Sequence, residues 1–392
     1  MKKAQSAMTP RERVLAAVRG QPVDRVPVMY WFNPHAACRL MAEFLPAPDW
    51  FWNRAGRRAW KVFAGGSRLL NEEQRNALPL ILQIYANAEY TLALGADIAD
   101  VPFGTSGFWG KLDLRKGKVR ARDAFGSLRG MGGIYLDVIE PAIKTIEDMK
   151  NFRLPDVSGS EHYDRIRRFR ADHPSACIIC DNFGVQDLPH TQIWEMSRMM
   201  MALYDYPDEV KDFQRKFADW NMEVARKSLR AGADMIFIYD DYGYTNRTLI
   251  SMEMWKEFTY PHLRRQIAAA HEAGGLVMLH SCGYQMPFLP YYIEAGLDIL
   301  QTFQPKAGND FAAAYAQYGD RLAFATGIDV QLGESVSASE LRESIVKAYQ
   351  TGGRRGRHIL GMTHMMQYTM PAGNIRAILE TVREIQAGNL DG

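Results

Sequence analysis

Short, almost wholly apolar runs recur along the chain, and several follow a segment of helical period that stops at a glycine. The pattern stands out at GADIADVPF from Gly95, GADMIFIYDD from Gly232, GGLVMLHSCG from Gly274 and AGLDILQTFQ from Ala295. Glycine ends a helix readily because it enters left-handed backbone conformations without steric penalty. Four further runs share this apolar character: VPVMYWF (26–32), CIICDNFG (177–184), AFATGIDVQ (323–331) and HILGMTHM (358–365). Together they predict eight strands alternating with helices. Strands so continuously apolar are covered on both faces, whereas half-exposed antiparallel strands would alternate. The expected fold is therefore α/β, a (β/α)8 TIM barrel, with a doubly wound open sheet as the alternative.

Two stretches stand outside this alternation. Residues 105–139 hold short alternating pieces such as KLDLRKGKVRARD among glycine-rich turns, and predict a β-meander inserted after strand two, over the barrel mouth. Residues 46–94 have helical character, with Trp50, Phe51, Trp52, Trp60 and Phe63 as heavy apolar faces, and predict a helical extension that roofs the amino-terminal side. The 392 residues are read as a single decorated barrel domain, 1–392, longer than the roughly 250 residues of a bare barrel.

Charge and cysteine content narrow the function classes. The net charge of +2, from 47 basic and 45 acidic residues, gives no basic field for nucleic acid. No run has the roughly 18 uncharged apolar residues of a membrane span, and the first residues, MKKAQSAMTPRERV, lack a secretory apolar core. The four cysteines, Cys38, Cys177, Cys180 and Cys282, are too scattered for a disulfide framework, so a cytoplasmic, reducing setting is expected. Neither a phosphate loop, a dinucleotide fingerprint nor a G-x-S-x-G elbow occurs.

Barrel chemistry sits at the carboxyl ends of strands. There the chain places Asp240, Asp241 and Tyr242 after strand four, and His280, Ser281, Cys282 and Gly283 after strand five. Asp329 and Gln331 follow strand seven, and His364 follows strand eight. The i, i+2 spacing of His280 and Cys282 puts both on one face of an extended chain, and imidazole with thiolate suits zinc, whose catalytic sites take three protein ligands. His364 can complete the set, because all strand ends converge on the mouth. In Cys177-x-x-Cys180 the two side chains face opposite ways, so packing is their expected role. Of the adjacent pair Asp240 and Asp241, one faces the axis and one the outer layer. Asp181 and Asp329 hold equivalent strand-end positions, and Tyr30, Trp31, Phe32, Tyr239, Tyr242 and Phe303 suggest an apolar pocket.

These residues lie in segments with a shared look: TPRERVLAAVRGQPVDRVPV, IYDDYG, LHSCG, TGIDVQ and PAGNIRAI. They resemble the uroporphyrinogen decarboxylase superfamily, especially its corrinoid-dependent methyltransferase branch, and the likeness spans nearly the whole chain. The resemblance implies a zinc site of His-x-Cys with a distant third ligand, commonly Cys. His280 and Cys282 match, and the third position, counted back from Asn374 of the Pro-x-x-Asn pattern, falls on His364. A His/Cys/His set gives a harder Lewis acid than one richer in sulfur, and favours an oxygen ligand over a thiol. The decarboxylases of the superfamily carry an Arg-Gln-Ala-Gly-Arg segment after strand one for substrate propionates. Here the stretch is WFNPHAACR, although Asp100 stands where those enzymes keep a catalytic aspartate.

The resemblance thus implies a zinc-dependent methyltransferase moving a methyl group between a small methylated substrate, for instance an aryl methyl ether, and a corrinoid carried by a partner protein docked over the meander. Asp241 would orient substrate or handle a proton, with Asp240 and Asp100 as further catalytic candidates. Tyr242, Asp329, Gln331, Asp181, Tyr30 and Phe303 would contact substrate. A homodimer is compatible with this reading. Two alternatives remain at this stage: a metal-independent decarboxylase working through Asp100, and a non-catalytic ligand-binding barrel.

Overall fold

The computed structural model describes residues 7–43, 71–104, 113, 118–133, 135–186, 192–353 and 356–390. Eight parallel strands form the core: β1 (Val28–Met29), β2 (Ile98–Asp100), β3 (Cys177–Phe183), β4 (Met235–Tyr239), β5 (Leu276–His280), β6 (Ile299–Gln301), β7 (Ala323–Ile328) and β8 (His358–Met362). From β2 onward each strand pairs with the next in sequence, and β8 pairs with β1. Asp97 N donates to Val28 O at 2.8 Å across the β1–β2 seam, so the ring is nearly closed. An open doubly wound sheet would reverse its strand order at a switch point. This order never reverses, and the fold is a TIM barrel.

Side chains alternate between the barrel interior and the layer under the helices, as strand geometry requires. Met29, Ile98, Cys177, Ile179, Met235, Phe237, Met278, Ile299, Ala325 and Ile359 pack together inside. Val14 and Val18 of helix α1 (Pro10–Val18) join them, so α1 plugs the amino-terminal end. Thr9 and Glu12 start that helix with a capping box, and Pro10 sits at its first turn, where no N–H partner is needed. The segment expected to roof this end lies partly outside the described residues, at 46–70. Its described part forms α3 (Glu72–Ala93), which packs on β2 and on α2 (Pro34–Glu43) in the outer ring.

The base is latched by a repeated device. Gly95, Gly232 and Gly296 take φ values of +94°, +116° and +81°, ending a helix, and an aspartate follows two residues later. Each carboxylate accepts a main-chain N–H of the preceding strand: Asp97 from Val28 at 2.9 Å, Asp234 from Ile178 at 2.9 Å and Asp298 from Val277 at 2.8 Å. Arg13 and Arg25 pair with Asp97, Arg11 and Arg170 with Asp234, and His271 meets Asp298. Buried carboxylates are tolerated only with such partners.

Three antiparallel strands, Arg120–Arg122, Leu128–Gly132 and Tyr135–Glu140, form the meander between β2 and β3. Phe125 in its first turn packs on Phe183 at the end of β3, with ring centroids 6.4 Å apart, which anchors the insertion at the mouth end. Of the expected 105–139, residues 105–112, 114–117 and 134 lie outside the described residues. No described helix is long and apolar enough to cross a membrane.

Candidate metal centre

One step beyond the apolar layers, the inward positions become polar or aromatic. Trp31, Asp100, Asp181, Tyr239, His280 and Gln301 follow the inward parity of β1 to β6 and line the mouth. His280 stands in register with Tyr239 on one side and Gln301 on the other.

Cys282 Sγ lies 3.3 Å from His280 Nε2, and donor atoms of His280, Cys282 and His364 all fall within 4.8 Å of one another. Local sequence explains the placement. Gly283 takes φ +80°, turning the chain directly after Cys282, and a Cβ there would strike the main chain of Gly243. His364 is carried on the turn after β8, which Thr363 N pins to Ile328 O and Met366 N pins to Trp31 O, each at 2.9 Å. The Trp31 ring meets His280 edge-on at 4.9 Å and His364 at 5.5 Å between centroids.

The protonation pattern suits metal binding. His280 Nδ1 lies 2.6 Å from Gln301 Oε1, while Gln301 Nε2 donates to Met362 O at 3.1 Å. With the amide so oriented, Nδ1 carries the proton and Nε2 keeps its lone pair toward Cys282. Burial, reinforced by neighbouring His280, lowers His364 from 6.5 to about 4, so it is a neutral imidazole at pH 7. Two imidazoles and a thiol converging with one ring already tied from behind fit zinc, and three protein donors would leave one coordination position open. Asp241 Oδ1 accepts Cys282 N at 2.7 Å and lies 3.6 Å from His280 Nε2.

A second polar group adjoins the triad. Burial raises both Asp100 and Asp181, Asp100 well above the usual carboxyl range, where the neighbouring Asp181 pushes it further up. Asp100 is the member that keeps its proton, because Asp181 is also stabilised as an acceptor from Tyr239 Oη at 2.8 Å. The Tyr239 ring lies 5.4 Å from that of His280, linking the acid pair to the donor triad.

The other expected contact residues lie away from the triad. Asp240 faces outward, where its Oδ1 accepts Gln186 N at 3.0 Å, so Asp241 is the axial member of the pair. Tyr242 packs its ring against Trp255 and Phe288 in the outer layer. Tyr30 shares the parity of Val28 and Phe32 and stacks on Phe32 beneath the helices. Phe303 would face inward by parity from Gln301, but Thr302 takes φ +65°, which breaks the alternation and packs Phe303 on Phe324. Asp329 Oδ1 caps the turn after β7 through Gln331 N and Leu332 N, and Gln331 is exposed. Among the described residues neither bonds to the triad. Cys177 packs inside the barrel and Cys180 outside it, as their spacing requires.

Gln301 is the site residue that sequence reasoning missed. Its signal was present: a polar residue two positions after Ile299 at the end of an apolar run takes the inward parity.

Comparison with known proteins agrees with this architecture. A uroporphyrinogen decarboxylase of Geobacter metallireducens is 23% identical over 282 residues, covering 64% of this chain and 76% of that protein. A methyltransferase from Methanosarcina mazei superposes with a TM-score of 0.65 at 17% identity, covering 96% of this chain and 99% of that one, a likeness of fold. Residues 132–385 match the family described as uroporphyrinogen decarboxylase (URO-D), well over half of the sequence, and the chain therefore belongs to that family.

Proposed function

We propose that the protein is a zinc-dependent methyltransferase that moves a methyl group between a small methylated substrate and the corrinoid of a separate protein. The observation that carries this reading is the convergence of His280, Cys282 and His364 at the barrel mouth. These three would hold the ion, and zinc bound there supplies Lewis acidity to the heteroatom that bears the methyl group. Trp31 and Tyr239 flank the triad with aromatic rings, which suits an aryl methyl ether. Asp241, half-buried beside the triad, orients substrate or holds a proton near its heteroatom. The Asp100–Asp181 pair keeps one proton at the mouth and offers both a donor and an acceptor to a polar substituent.

A metal-independent decarboxylase has one feature in its favour, Asp100 at the mouth, whose carboxyl burial raises well above its ordinary range. Against it, the one arginine among the described residues 30–43 after β1 is already engaged: Arg39 Nη1 donates to the carbonyls of Tyr368 and Met370, each at 2.7 Å.

Metal analysis and methyl transfer separate the readings. The purified chain should hold about one zinc, and the double variant His280→Ala, Cys282→Ala should lose it. Incubation with a methylated aryl ether and a reduced corrinoid should give the methylcobalt spectrum. Full metal retention in the double variant, or carbon dioxide release from a carboxylated substrate without metal, would overturn the proposal. A barrel that only binds ligands would give neither reaction.

A further inference from the structure

We infer that Gln301 is the positioning residue of this centre: its carboxamide fixes the metal-binding tautomer of His280 and ties together the two strands that carry the donors. The inference rests on reading the triad as a metal centre, and adds what presets that triad before any ion arrives.

Gln301 is 1% exposed at the last inward position of β6, directly beside His280. Its Oε1 meets His280 Nδ1 at 2.6 Å, and its Nε2 donates to Met362 O on β8, two residues before His364. One planar group therefore bridges β5, which leads to His280 and Cys282, and β8, which leads to His364. The donor to Met362 O settles which amide atom faces the ring. If His280 carried its proton on Nε2 instead, two lone pairs would oppose each other at 2.6 Å, and no lone pair would face Cys282.

The next residue strengthens the assignment. Thr302 is β-branched yet adopts φ +65°, a left-handed conformation that such a side chain disfavours and that surrounding contacts must hold. Its Oγ1 donates to Ser281 O at 2.7 Å, the carbonyl between the two donors of β5. The left-handed turn also sends Phe303 outward, leaving Gln301 as the final inward side chain of β6. Two successive residues thus stitch the end of β6 to the ligand-bearing end of β5. An apolar residue at 301 would leave a buried imidazole N–H and a buried carbonyl unpaired.

The test uses the full-length protein with Gln301→Met, which keeps length and loses both the strong acceptor and the donor, and Gln301→Glu, whose buried carboxyl, when protonated, accepts from Nδ1–H with one oxygen and donates to Met362 O with the other. Zinc affinity is read by competition with a chromophoric chelator, and donor geometry by the visible spectrum of the cobalt(II)-substituted protein. Gln301→Met should weaken zinc binding by about 10–100-fold and alter the cobalt bands, while Gln301→Glu should stay near wild type in both. Should Gln301→Met fail to fold, Gln301→Asn, whose shorter amide cannot reach the ring, replaces it with the same expectation. Wild-type affinity and spectrum in the acceptor-less variant overturn the inference, as does a Gln301→Glu protein as weak as Gln301→Met. Failure of the wild-type chain to bind zinc or cobalt would instead overturn the metal centre itself.

Discussion

Lowering the pH of the metal-free protein from about 7.5 to about 4.5 forces a proton onto His364 against its surroundings. Burial and the nearby His280 lower this group from 6.5 to about 4. Between those values the unfolded chain binds the proton and the folded chain does not, so stability is fully present above 6.5 and is lost as the pH falls toward 4. At about 1.4 kcal/mol per pH unit, the ceiling for His364 is roughly 3 kcal/mol. The ring sits at the mouth and is only half-buried, so solvent rearrangement should leave about 1.5–2 kcal/mol of that. Urea unfolding of wild type and His364→Gln, with chelator present, reads the effect as a stability difference that changes across this window. His262 and His358, each lowered to about 4 by burial, titrate in both proteins and cancel in the difference. Parallel stability curves would refute the reasoning: His364 would not be held neutral by its site, and its readiness as a metal donor would lose its physical basis.

The acid pair has the opposite sign. Asp100 holds its proton more tightly when folded, so wild-type stability should decline as pH rises through its raised value, and Asp181→Asn should shrink that decline in urea titrations. Asp97→Ala would take the carboxylate from Arg25 and the acceptor from the Val28 N–H and leave Arg13 to Asp24 alone, and should cost about 2–4 kcal/mol in chemical denaturation while the folded fraction still binds zinc. Asp241→Asn keeps an acceptor for Cys282 N but removes the charge, so zinc should stay and the methyl-transfer rate fall about 100-fold or more. An unchanged rate in that variant would reduce Asp241 to a support for the Cys282 turn.

The barrel was legible because its eight strands are apolar on both faces, and their runs stand clear of the helical segments between them. The candidate cluster was legible for a different reason: His280 and Cys282 are two residues apart in sequence, and converging strand ends bring His364 to them. Aromatic positions were harder. Parity along β1 separates Trp31 from Tyr30, and Met29 on the interior side fixes which is which, but for Phe303 the parity rule itself fails at Thr302. Gln301 has no ligand chemistry of its own, and its role exists only through partners 21 residues before it and 61 after it. The plug was hidden similarly. PRERVLAAV has a charged and an apolar face like many surface helices, and only closure of the ring shows that Val14 and Val18 enter the interior.

The aspartate latches beneath β2, β4 and β6 bear on how this molecule can change over evolutionary time. They lie at the floor of the strands, and Trp31, Asp181, Tyr239 and Asp241 lie at the ceiling, with packed apolar layers between. Contributions of distant, unconnected sites are close to additive. A lineage can therefore exchange ceiling residues while the ring stays fastened from below, and it loses that freedom at Asp241, Gln301 and Thr302, where the scaffold of His280 and Cys282 reaches the ceiling.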